Sequence, residues 1–299
     1  MHKHHNEHTH CHHHEEVSEK SVKLLMFSFV INMLLSAAEI VGGIISGSMA
    51  LIGDALHNTS DALSILIAVI AFKIGHKKAS GKYTYGFKRA EVIGGFVNLI
   101  LLFISGCYLL VEGIERLIFP QTIDGVLIVW ISVLALIIDS VTAKISHHHS
   151  HHSSNMKMVF VHNLADAFGS LGVIVSGLCV MWFGIYYVDG IVALLIAFYM
   201  IFQAVIAFPQ IVNILMNAAP DNINIEEVKQ VILQIDGVKG VHHIHLWCIS
   251  EHDFALECHI ESCKTEIIPQ ISLILKRKFN INHCNIQVED KNCCEDCNL

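Results

Sequence analysis

Leu51 to Ser64 reads LIGDALHNTSDALS, a run apolar enough to lie in a bilayer yet carrying His57 and Asp61 four residues apart. Four residues is just over one helical turn, so in a helix both side chains stand on one face and can grip one ion together. The same wording returns in a second apolar run, where VHNLADAFGS carries His162 and Asp166, so HNxxDA occurs twice. An ionisable side chain in mid-membrane costs about 2.5–3.5 kcal/mol on insertion scales. Four of them in two matched pairs require a compensating partner, and a divalent cation supplies it. Two imidazoles and two carboxylates suit tetrahedral Zn²⁺. The alternatives are that each histidine pairs with its own helical neighbour as a buried ion pair, or that a structural zinc sits there permanently.

Working outward from that stretch, the chain has 299 residues, 53% of them hydrophobic and only 15% charged, with a mean hydropathy of +0.54. That is too apolar for a soluble domain and implies a membrane protein. Residues 21–208 hold ten acids and ten bases, whereas 209–299 hold thirteen acids and seven bases. The acidity therefore belongs to the tail, read as a separate soluble domain. Histidine is unusually abundant, with 22 residues, many in two clusters at His2 to His14 and His147 to His152, which reads as metal handling. The ten cysteines are scattered, as reduced cytosolic thiols would be. The N-terminal stretch MHKHHNEHTHCHHHEE has no apolar core and is not a secretory signal.

Residues 1–20 read as a disordered, histidine-rich cytosolic segment. Six apolar runs follow within 21–208, at about 22–45, 49–74, 90–111, 123–145, 158–183 and 191–208, each of 18 or more largely apolar residues. Lys77, Lys78 and Lys82 lie between runs two and three, and Lys144 and Lys157 flank the loop at 146–154, while Arg116 faces the other side. The bias places both termini in the cytosol and makes spans two and five antiparallel, as in an inverted repeat. From Asn224 the pattern becomes helix (225–235), strand (240–250), strand (254–262), helix (266–279) and strand (283–288). The expected fold is six transmembrane helices followed by a small cytosolic αββαβ domain over 209–290, ferredoxin-like or metallochaperone-like, and a cysteine-containing tail at 291–299.

Further donors lie outside the paired motif. Asp54, one turn before His57, reads as a helix-start or supporting group, and Glu39 and Asp139 as hydrogen-bonded or water-facing acids or members of a proton path. In the tail, VHHIHLW and LECHI bring histidines onto adjacent strands, so that His242, His259, His283 and Glu289 are candidates to meet around one ion. His10, Cys11 and His12 set a thiolate between two imidazoles, and Cys294 and Cys297 form a CxxC, together a second candidate zinc site.

The paired HxxxD motifs, the segment YTYGFKRAEVIGGFVN (Tyr83 to Asn98), the histidine loop and the GVxxVHxxHxW pattern from Gly237 to Trp247 together resemble a cation diffusion facilitator. The resemblance runs from about Val22 to Glu289. Histidine rather than aspartate at position 57, with the terminal cysteine motifs, is similar to the zinc-selective animal branch that fills vesicles. The resemblance implies a homodimeric Zn²⁺/H⁺ exchanger, with the transported ion at His57, Asp61, His162 and Asp166, a cytosolic domain that dimerises and binds zinc, and an additional interface site at His76. It favours an intracellular vesicle membrane, the plasma membrane being the alternative. The chain has no GxxxxGK[ST] loop for hydrolysing ATP, which leaves a proton gradient as the driving force. Two other readings are an intramembrane metalloenzyme and a membrane-tethered zinc sensor. The first lacks an HExxH stretch or a glutamate beside either histidine. Nothing points to nucleic acid.

Overall fold

The computed structural model describes residues 19–75, 77–150, 154–250, 253–263 and 265–289, with side chains described from Phe29 onward except at 72, 142–143, 145–150 and 154–163. Six long helices come first: α1 (Glu19–Ser46), α2 (Met49–Gly75), α3 (Ala90–Ile118), α4 (Gly125–Ser150), α5 (Ser154–Phe183) and α6 (Tyr187–Leu215). Then come α7 (Ile225–Leu233), β1 (Gly240–Cys248), β2 (Phe254–Glu261), a single 3₁₀ turn, α8 (Ile268–Phe279) and β3 (Ile281–Glu289). Five of the described helices are long and apolar enough to cross a membrane; α4 is apolar over the shorter run Gly125–Val141. That run is about 26 Å long, at the short end of what a ~30 Å hydrocarbon core takes. Large apolar side chains such as Leu34, Ile44, Ile104 and Phe198 point outward, as lipid-facing residues must.

Two helix ends differ from the sequence expectation. Histidines 147–149 belong to the last turn of α4 rather than to a loop, because nothing between Ser146 and Ser150 is a glycine or proline that would stop the helix. Helix α6 runs past Pro209 to Leu215, although proline donates no N–H to the carbonyl one turn back.

Helices α1 and α2, α3 and α6, and α4 and α5 pack most extensively, and α2 also meets α3, α5 and α6. Glycine sets the α4–α5 crossing: a Cβ on Gly125 would stand 2.6 Å from the carbonyl oxygen of Gly177, so only a missing side chain lets the backbones approach. At the α1–α2 turn, the Ser48 hydroxyl donates to Asp189 of α6, whose other oxygen accepts from the backbone N–H of Met49 at 2.7 Å and of Ala50 at 3.3 Å. Asp189 thus caps α2 from another helix, and Arg116 holds the Gly47 carbonyl at 2.9 Å beside it. Asp189→Ala leaves these buried donors without an acceptor and is expected to cost at least the ~0.5–2 kcal/mol of a lost cap. The check is the melting midpoint in detergent, which should fall; an unchanged midpoint would remove the cap from the stability account.

In the small domain β1 and β2 pair antiparallel, β2 and β3 parallel, in the order β1-β2-β3. The inward positions Val241, Leu246, Leu256, Cys258 and Ile260 pack with Ile232 of α7 and Leu275 of α8 in one apolar core. Strand alternation turns Glu257, His259 and Glu261 to the opposite face. Lys88 meets Asp253 at 2.9 Å, Arg89 bonds Asn217, and the Tyr85 ring lies against His283, tying the start of α3 to this domain.

Candidate metal centres

Helix α2 sets Asp54, His57, Asn58 and Asp61 along one stripe, since residues three, four and seven apart share a helical face. His57 is only 4% exposed. Its Nε2 lies 3.1 Å from Asp166 Oδ1 on α5 and 3.5 Å from Asp61 Oδ2, and the three ligand atoms fall within 4.8 Å of one another. Two donors about 2.0–2.1 Å from a tetrahedral zinc stand ~3.3–3.4 Å apart, so both separations match an edge of that polyhedron. The helices run antiparallel: His57 meets Asp166, while Asp54, a turn earlier, meets Ser170, a turn later. Tyr199 of α6 sets its ring edgewise on His57 at 5.6 Å, walling that side. His162 lies on α5 one turn before Asp166, but its side chain is outside the described residues.

Around this trio lies a set of polar contacts that sequence reading only partly found. The Ser170 hydroxyl is 3.1 Å from Asp54 Oδ2 and 2.9 Å from Asp139 Oδ2, and its single hydrogen serves one of the two at a time. Asn58 donates to Glu39 Oε2 at 3.0 Å. Asp54 is therefore a buried partner of Ser170 in mid-bundle rather than a helix-start residue, the start of α2 being capped by Asp189. Ser170 and Asn58 carried no signal of their own. Asn58 sits inside the HNxxDA motif, and its neighbour relation to His57 was the only hint.

The second cluster is on the outer face of the small sheet. His242 and His259 are directly opposed on β1 and β2, and Glu289 ends β3. Glu289 Oε2 is 3.2 Å from His242 Nε2, and Oε1 is 2.7 Å from His259 Nδ1. Those two ring nitrogens are buried, yet neither makes a hydrogen bond of acceptable geometry. Buried polar atoms are normally satisfied, so two imidazole nitrogens that converge on one carboxylate without forming a hydrogen bond fit a cation held between them. His283 is not brought to this cluster: parallel pairing sets it opposite Ala255, six residues from Glu289, and its ring faces Tyr85. Six strand residues span about 20 Å, which excludes both from one ion. The neighbouring thiols belong to the other face: Cys248 and Cys258 lie in the apolar core and Cys284 packs against it. Burial, helped by Cys284 and Glu257 nearby, pushes the Cys258 thiol up to about 12, and burial also raises Cys248 and Cys284. His10, Cys11, His12, His76, Cys294 and Cys297 lie outside the described residues.

Two family models match the chain, one described as the cation efflux transmembrane domain over residues 25–216 and one as the cation efflux protein cytoplasmic domain over 220–291. Among curated relatives, the metal cation efflux system protein CzcD of Cupriavidus metallidurans is 30% identical over 285 residues, covering 94% of this chain and 89% of its own. The zinc transporter ZitB of Escherichia coli is 29% identical over 300 residues, covering 98% and 96%. The proton-coupled zinc antiporter SLC30A8 of Xenopus laevis is 31% identical over 303 residues, covering 92% and 80%. A solved structure of the metal-bound C-terminal domain of the CzcD transporter is 32% identical and covers 22% of this chain and 99% of its own, with a TM-score of 0.21.

Proposed function

Because the chain belongs to the cation efflux family, and is a multi-pass membrane protein with both domains matched, we propose that it exchanges cytosolic Zn²⁺ for protons by alternating access. The observation that carries this reading is the approach of His57 Nε2 to carboxylates of two antiparallel helices, Asp61 on its own and Asp166 on α5. Relatives named as zinc transporters and as a proton-coupled zinc antiporter support the choice of ion and of coupling.

Zinc entering from the cytosol loses water to His57, Asp61 and Asp166, with His162 from α5 as the fourth donor. The bundle then rocks to expose the ion on the far side. An imidazole binds zinc only when neutral and takes up its proton near pH ~6.5 when unperturbed. An acid lumen therefore displaces the metal, and the protonated site returns inward. The Asp54, Ser170 and Asp139 group, with two carboxylates sharing one hydroxyl hydrogen, gives protons a place to reside beside the ion.

The small domain joins two copies into a homodimer and would hold a resident zinc at His242, His259 and Glu289, where the ion supplies cross-linking of three strands. His10, Cys11, His12, Cys294 and Cys297 form a further cytosolic site, His76 one at the membrane junction, and the histidine segments concentrate zinc at the entrance. Both termini face the cytosol, since the lysine-rich loops do, and the membrane is that of an intracellular vesicle.

The test is flux. In sealed proteoliposomes with an acid interior, zinc should accumulate inside, faster as the interior is made more acid below pH ~6.5, and a protonophore should abolish accumulation. No accumulation under a maintained gradient would sink the transporter reading and leave the zinc sensor.

A further inference from the structure

We propose that His243 and His245 hold a second divalent transition-metal ion on the cytosolic sheet, beside and distinct from the one assigned to His242, His259 and Glu289. The Nε2 atoms of the two rings stand 3.2 Å apart. Two nitrogens on a tetrahedral zinc are ~3.3–3.4 Å apart, so this pair is already spaced as two ligands. The rings are crossed at 88° rather than stacked, and His245 is exposed, which leaves the approach to both nitrogens open to solvent.

A local irregularity creates the pair. On β1 the step from His242 to His245 covers three residues, while its partners His259 and Glu257 on β2 are two apart, so one residue is extra and the strand bulges. His243 takes φ +51° there, in the left-handed region, and its ring comes to lie against His245 on one side and 4.7 Å from the His259 ring on the other. Glu257 stands directly opposite His245 in register, so its carboxylate belongs to the same face of the sheet, one strand away from the pair. Its Oε1 is held at 3.2 Å by the Asn285 amide on β3. Two imidazoles, with water completing the shell, select a borderline cation such as Zn²⁺ over Mg²⁺ or Ca²⁺, which take all-oxygen shells. The competing account is that the two rings share one N–H···N bond and bind nothing.

Ion counting on the purified full-length chain decides between them, using Zn²⁺ as the probe in equilibrium dialysis at fixed free concentration. His243→Gly combined with His245→Gln removes the donors, and glycine suits the left-handed backbone, so the melting midpoint should not fall. That variant is expected to bind one zinc fewer per protomer than the unaltered chain. His242→Ala with His259→Ala should lose a different one, and the fourfold variant should lose two. An unchanged count in the first variant overturns the proposal. So does a fourfold variant that loses only one ion, because the five residues would then serve a single site. The readout is independent of transport and stands whether or not the chain moves zinc.

Discussion

Alanine at Asp61 or at Asp166 is expected to cut proton-driven zinc flux in proteoliposomes by more than ~100-fold. The estimate follows from the cost of a lesser change: removing a group that merely orients a ligand already costs 10–100-fold in metal affinity. On the proposed assignment each aspartate would supply a ligand atom itself, their oxygens standing 3.5 and 3.1 Å from His57 Nε2. Removing either carboxylate also leaves His57, 4% exposed, beside one counter-charge instead of two. His162→Ala should behave alike if its ring completes the set. All three variants should still insert and elute as the unaltered chain does, since each replaces a polar side chain. Flux at the parental rate from any of the three would defeat the assignment of that residue.

The second large effect concerns the small domain. Glu289→Ala is expected to lower zinc affinity there by ~100-fold or more, again because a ligand outweighs its support, and to remove one ion per protomer at micromolar free zinc. Glu289→Gln separates the metal reading from a plain polar cluster. Glutamine keeps the size and polarity of the side chain between His242 and His259, but its uncharged amide is a poor partner for a dication. Zinc retention by Glu289→Gln at the parental level would mean that the carboxylate is no ligand.

Much of this arrangement was legible in the residues, and the failures have physical causes. The doubled HNxxDA motif announced which helices meet, because two side chains four residues apart can grip one ion only on a helix, and ionisable groups set in apolar runs need a partner. The αββαβ order was equally plain from the switch of apolar period after Asn224. Register was not. Reading His283 and Glu289 as partners ignored that six strand residues separate them by ~20 Å, and parallel pairing fixes His283 beside Ala255. The pairing of Asp189 with the start of α2 was invisible for a different reason: its partners are about 140 positions away in the chain, and an acid near a helix start ordinarily caps its own helix. The bulge at His243 had no glycine to mark it. Histidine occupies a backbone conformation that sequence would assign to another residue type.

Glu39, Asp54, Asp61, Asp139 and Asp166 all lie within electrostatic reach of His57. Stripped of both metal and protons, this transporter would confine as many as five negative charges in a medium of low polarizability, the least favourable species in its whole cycle. Reversing orientation with neither metal nor proton aboard is therefore the costliest step open to the carrier. Repulsion among these carboxylates thus opposes uncoupled leakage and favours coupled exchange.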